Sequence, residues 1–105
     1  NSPPEEGNEY ILIKMRFNLI STSDSRSYSV PHTIFESVSE NGIGYGYASA
    51  PLLPEPRLLF KDIFPGATYE GWFGVEVAKN DEKPVLRISY PGVTDELWFK
   101  LYLIV

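Results

Sequence analysis

The chain contains no cysteine, so disulfides, zinc–thiolate centres and thiol catalysis are excluded. It holds a single histidine and a single methionine. It has few cations: 9 Lys and Arg stand against 14 Asp and Glu, a formal charge of -5. A phosphate backbone would be repelled on average, so no nucleic-acid partner is expected, nor an anionic membrane surface. Long apolar runs are missing too. The longest, Tyr10–Ile13 and Leu101–Val105, fall far short of the ~20 residues a bilayer requires, so no membrane-spanning segment is expected. Nor does any stretch combine a sustained 3.6-residue apolar period with helix start and stop residues.

What remains is a globular composition, 43% hydrophobic and 22% charged, in 105 residues, the size of one domain. The Pro- and Glu-rich opening, residues 1–8, reads as a solvated tether, and residues 9–105 as a single domain. Because the chain opens on Asn1 rather than Met, processing or trimming upstream is expected.

Within the domain the apolar period is two. Over Tyr10–Ile20, Ile11, Ile13, Met15, Phe17 and Leu19 share one face, while Lys14, Arg16 and Asn18 take the other. That is a half-buried strand. Ser21–Ser29 reads as a polar loop and Thr33–Val38 as a second strand. Asn41-Gly42 predicts a tight hairpin with both central residues at positive φ. Beyond it Ile43, Tyr45 and Tyr47 share a face, opposite the bare Gly44 and Gly46. Pro51, Pro54 and Pro56 mark a connection or a blunted edge, and Leu58–Phe60 a short strand or one helical turn. Pro65-Gly66 is a turn signal.

Tyr69–Val77 alternates again, with Phe73, Val75 and Val77 inward and Glu70 and Glu76 outward. Gly71 lies in this strand, and its bare Cα lets another backbone or a ring approach closely. Lys79–Lys83 is a charged turn. Over Val85–Tyr90, Leu86, Ile88 and Tyr90 should be buried, with Arg87 and Ser89 outside. Pro91-Gly92 turns the chain into a final strand with Leu97, Phe99, Leu101 and Leu103 inward and Trp98, Lys100 and Tyr102 outward. The expected fold is all-β: an immunoglobulin-like antiparallel β-sandwich of roughly seven strands.

One segment resembles a known family. Ile63-Phe64-Pro65-Gly66, then Gly71-Trp72-Phe73, Val75-Glu76-Val77, a charged turn and Val85-Leu86-Arg87-Ile88 are similar to the telokin-like immunoglobulin-fold domain of unknown function. That domain occurs in secreted and lipid-anchored proteins of Gram-positive bacteria. The early strand Tyr10–Phe17 with Asn18 resembles it as well. The specific part of the likeness runs from Pro65 to Val77. Ala67 and Ala78 depart from the family pattern, which favours an acidic residue and Pro there, and the strand expected ahead of Tyr10 is not seen. The resemblance implies an extracellular or envelope-attached location and a lipid anchor upstream of Asn1. It supplies no catalytic residue.

Chemistry-bearing residues are sparse. His32 has no sequence-local nucleophile or carboxylate beside it, and reads as a solvated loop residue. The acidic pairs Glu5-Glu6, Asp81-Glu82 and Asp95-Glu96 read as solubilising turn residues, because neighbours on a strand point to opposite faces and cannot confront each other across a cleft. Calcium is their sharper alternative, but no calcium-loop spacing accompanies them. No Asn-x-Ser/Thr acceptor and no phosphate-cradling glycine loop occur.

The aromatics, 14% of the chain, are the informative set. Phe17, Phe73 and Phe99 fall at inward positions and read as core. Trp72, Trp98 and Tyr102 fall at outward positions, and Tyr45 and Tyr47 lie on the glycine-rich hairpin. Exposed rings of this kind mark a binding face for protein or for sugar. The plainer reading is that a loop or a neighbouring domain covers them. The expected role is therefore a non-catalytic domain, without cofactor or metal, that binds a protein partner or packs on a neighbouring domain. The alternative is a carbohydrate-binding module stacking sugar on these aromatics.

Overall fold

The computed structural model describes residues 3–18, 28–29, 31–49, 52–58, 62–64, 66–89 and 96–102. Their strands are β1 (Asn8–Asn18), β2 (Tyr28–Ser29), β3 (Phe35–Val38), β4 (Gly44–Tyr47), β5 (Asp62–Ile63), β6 (Thr68–Ala78), β7 (Val85–Ile88) and β8 (Leu97–Lys100). No α-helix forms among the described residues. The fold is an all-β sandwich. One layer is the antiparallel pair β1–β6; the other is the antiparallel sheet β4-β3-β7-β8. A two-residue pairing joins β2 to β5.

The period of two is what builds the first layer. Ile11, Ile13, Met15 and Phe17 oppose Val75, Phe73, Gly71 and Tyr69 in register, so one row of apolar side chains faces inward from each strand. The second layer meets that row with Phe35 and Leu86. Phe35 lies at the centre: its ring is 4.4 Å from that of Phe73 and 5.9 Å from that of Phe17, the latter edge-on.

Polar groups stitch the layers along the free edge of β6. Ser37 on β3 is fully buried, and its hydroxyl donates to the Glu76 carbonyl at 2.7 Å. The Ser49 amide donates to Gly74 O at 2.9 Å, and the Leu58 amide to Trp72 O at 2.8 Å. A β-carbon on Gly71 would sit 2.5 Å from Leu58 N and 2.7 Å from Leu58 Cα. The close approach expected at Gly71 is therefore real, and the approaching group is backbone.

Several local expectations are corrected. His32–Ile34 is a 3-10 turn, closed by Ile34 N–H on Pro31 O, so strand β3 begins at Phe35 rather than Thr33. Tyr28–Ser29, expected in a loop, is a strand. The β3–β4 connection is not a two-residue turn. Ser39 and Ile43 close it, Gly42 N–H donates to Ser39 O, and only the last loop residue, Gly42, is a positive-φ glycine (φ 85°). Three loop residues with a left-handed glycine at the end is the next common hairpin solution. At the other turn the expectation holds: Gly66 takes φ 88° and Ala67 N–H donates to Phe64 O.

The opening segment was expected to hang free through Asn8. Instead, β1 starts at Asn8, Lys79 N–H donates to Gly7 O, and the Glu76 carboxylate receives both the Asn8 amide at 2.7 Å and the Glu5 N–H at 3.2 Å. Leu58 makes no regular strand; the neighbouring Arg57 forms a single parallel bridge to Trp72. Leu19, Ile20, residues 21–27, Leu59, Phe60, Tyr90, Pro91, Gly92, Asp95 and Leu103 lie outside the described residues.

The largest correction concerns β8. Leu97 and Phe99 do fall on the inward side, opposite Ile88 and Leu86, yet they are 57% and 45% exposed. Among the described residues the β1–β6 layer has two strands and the other layer four, and β8 is the last strand of the larger one. Leu101, just past it, does pack against the core.

Candidate functional site

The outer face of the β4-β3-β7-β8 sheet is the place where the aromatics gather. Register pairs Tyr47 with Glu36, Glu36 with Arg87, and Arg87 with Trp98. Directly opposed residues share a face, so Tyr47–Glu36–Arg87–Trp98 is one row across all four strands. With strands about 4.8 Å apart, its two aromatic ends are separated by about 14 Å. Tyr47 is 49% and Trp98 53% exposed.

The middle of the row is a charge triad. Arg87 Nη1 donates to Glu36 Oε1 at 3.1 Å, and Arg87 Nε donates to Glu96 Oε2 at 2.8 Å, with a further contact from Nη2 to the same oxygen. Hydrogen bonding from Arg87 holds the Glu96 carboxyl below its ordinary value. The Arg87 guanidinium is in turn shifted upward, chiefly by the Glu96 hydrogen bond. The planar fork of arginine suits such two-sided pairing.

At the hairpin end this face sinks into an open groove of about 410 Å³, lined by Val38, Glu40, Lys83, Val85, Trp98 and Tyr102 among others. Val38 and Val85 supply its apolar floor, Trp98 and Tyr102 its aromatic wall, and Glu40 and Lys83 its charges. At the opposite edge His32 lies edge-on to Tyr47, ring centroids 6.4 Å apart.

The five aromatics singled out from sequence therefore separate. Trp98 and Tyr102 share the groove, and Tyr47 shares the row with Trp98. Trp72 is half-buried on the other layer, opposite Lys14, so it cannot act with them. Tyr45 is committed to structure: its hydroxyl donates to Asp81 Oδ2 at 2.5 Å. Burial, and then that hydrogen bond, raise its pKa above the ordinary 10.0.

Asp81 is correspondingly more than a solvated turn acid. Besides Tyr45 it receives the N–H groups of Glu40 and Lys83 and so ties the β3–β4 hairpin to the β6–β7 turn. Glu96 likewise is an ion-pair partner rather than a solubilising residue. Sequence reasoning passed over Glu36 and Arg87; each stands at an outward position of an alternating strand, which was the available signal. Among the described residues no group of three His, Cys, Asp or Glu side chains is placed to hold a metal ion. No helix among them is long and apolar enough to cross a membrane.

Comparison with protein-family models, curated proteins and solved structures finds no match for this chain.

Proposed function

We propose that this domain is a non-catalytic, immunoglobulin-like interaction module, working outside the cytoplasm, that binds a protein partner through the outer face of its four-stranded sheet. The observation that carries the reading is the Tyr47–Glu36–Arg87–Trp98 row. Tyr, Trp and Arg are the residues that dominate protein interfaces, because each offers a large rigid surface with a polar handle. Here the two rings stand half exposed on stiff strands and lose little entropy on being covered. The triad between them is already internally paired, so a partner need not neutralise a bare charge. The extracytoplasmic location is supported by the likeness of the Pro65–Val77 segment to domains of secreted and lipid-anchored proteins, and a lipid anchor upstream of Asn1 belongs to the same reading.

A photo-cross-linking side chain placed at position 47 or 98 should capture one defined protein from an envelope extract. The capture at position 47 should be lost when Trp98→Ala is added. Equal capture from positions 14 and 47 would overturn the reading.

The groove favours a second reading, a short neutral glycan stacked on Trp98 beside Tyr102. Saturable quenching of tryptophan fluorescence by oligosaccharides, abolished by Trp98→Ala and untouched by Trp72→Phe, would select it over the protein partner.

A further inference from the structure

Strand β8 carries exposed apolar side chains on both of its sides. Leu97 and Phe99 project to the inner side, Trp98 and Lys100 to the outer face, and every residue of the strand is exposed. Among the described residues β8 pairs only with β7 and ends its sheet. The opposite end of that sheet is blunted, since β4 carries a register shift against β3 and two glycines. Among the described residues β8 carries no bulge, glycine or proline, and its one charged residue is Lys100.

Its free edge has a defined polarity. Leu101 N–H donates to Pro84 O, so that pair is a hydrogen-bonded one. Bonded and non-bonded pairs alternate along an antiparallel ladder. Phe99 and Leu97 therefore direct their backbone groups toward β7. Glu96, Trp98 and Lys100 direct theirs outward, to the open side.

The sequence along that edge is self-complementary. About Trp98, Leu97 and Phe99 stand at one residue on either side, and Glu96 and Lys100 at two. An antiparallel neighbour related by a two-fold axis at Trp98 would set Trp98 opposite its own copy, Leu97 opposite Phe99, and Glu96 opposite Lys100. Each opposed pair shares a face, each charge meets its opposite so that two Glu96–Lys100 pairs form, and the outward backbone groups of 96, 98 and 100 meet in hydrogen-bonded pairs. Axes at Glu96 or Lys100 would instead oppose like charges.

From this we infer that the partner of β8 is a second copy of this chain, joined edge to edge through an antiparallel β8–β8 pairing centred on Trp98. The two four-stranded sheets become one eight-stranded sheet, as an isologous two-fold interface requires. The contact is a short strand edge, at the small end of interface sizes, so association is weak and concentration-dependent. The inference goes beyond the partner-binding reading, and its test needs no partner.

Sedimentation equilibrium on the whole chain should show a monomer–dimer equilibrium. Lys100→Glu, which places acid opposite acid at both ends, should weaken dimerisation by about tenfold or more while leaving the circular dichroism spectrum and unfolding midpoint close to those of the parent. Register is tested by cysteine, since the chain has none of its own. Opposed α-carbons in a bonded pair lie about 5.5 Å apart, within disulfide range. Trp98→Cys should therefore cross-link to itself on mild oxidation. Lys100→Cys should not cross-link to itself, its copy lying four residues along the strand, but should cross-link to Glu96→Cys when the two are mixed. A chain that stays monomeric at millimolar concentration would overturn the proposal, as would a dimer indifferent to Lys100→Glu or cross-linking that ignores this register.

Discussion

The Ser37 hydroxyl donates to the Glu76 carbonyl across the sandwich, at 2.7 Å and with no solvent at Ser37. The bond meets a main-chain acceptor on the side of β6 that β1 does not serve. Ser37→Ala would leave that carbonyl without its partner, and removal of one member of such a pair costs about 1–3 kcal/mol. Urea denaturation of Ser37→Ala should show a lower midpoint at unchanged slope. Ser37→Thr keeps the hydroxyl but adds a methyl where no space remains, and should also lose stability.

Gly71 and Gly44 separate two meanings of a missing side chain. A β-carbon at 71 would strike the backbone of Arg57 and Leu58 at 2.5–2.7 Å. Backbone cannot swing aside, so Gly71→Ala should cost roughly 1–3 kcal/mol by overpacking, and Gly71→Val more. At position 44 the nearest atom is Glu36 Oε2, at 2.6 Å, the end of a flexible side chain. Gly44→Ala should cost less than about 1 kcal/mol, with Glu36 turned away from Arg87. Thermal denaturation of the two alanine variants, side by side, tests the ranking.

The sandwich was legible because its layers enforce alternation. Ile11 to Phe17 and Tyr69 to Val77 can each bury only every second side chain, and both stretches obey. The same rule assigned Leu97 and Phe99 to the inner side correctly but could not foresee their exposure. Alternation tells which way a residue points, not whether another layer extends far enough to cover it. Asp81 failed for a different reason. Its partner Tyr45 is 36 residues away, and nothing local to an acidic turn distinguishes a tethered carboxylate from a solvated one. The Tyr47–Glu36–Arg87–Trp98 row depends on three strand registers together, which the sequence of one strand does not contain.

The Tyr45–Asp81 bond has an alkaline signature. Burial first, and the hydrogen bond second, raise the Tyr45 pKa above 10.0, so the folded protein holds the phenolic proton more tightly than the unfolded chain. That contribution is complete below pH 10 and is lost as the pH rises through the folded-state value. Tyr45→Phe should remove the bond, at a cost of about 1 kcal/mol near neutrality, and should flatten the fall of stability above pH 10. Denaturation midpoints measured from pH 7 to 11 give both effects.

The triad on the candidate face has the opposite sign. Arg87 lowers the Glu96 pKa chiefly by hydrogen bonding, so the folded protein gives up this proton more readily than the unfolded chain, whose value is 4.5. The contribution is present above pH 4.5 and disappears as the pH falls through the lowered value. In Arg87→Met the Glu96 midpoint, followed by carboxyl-carbon NMR, should return upward toward 4.5. If the triad also presets the face for its partner, the parent protein should lose partner binding as Glu96 protonates. In Arg87→Met the binding should already be weak at neutral pH and should no longer follow the titration of Glu96. A merely adjacent ion pair would instead leave binding level across the same range, because Tyr47 and Trp98 carry no charge there.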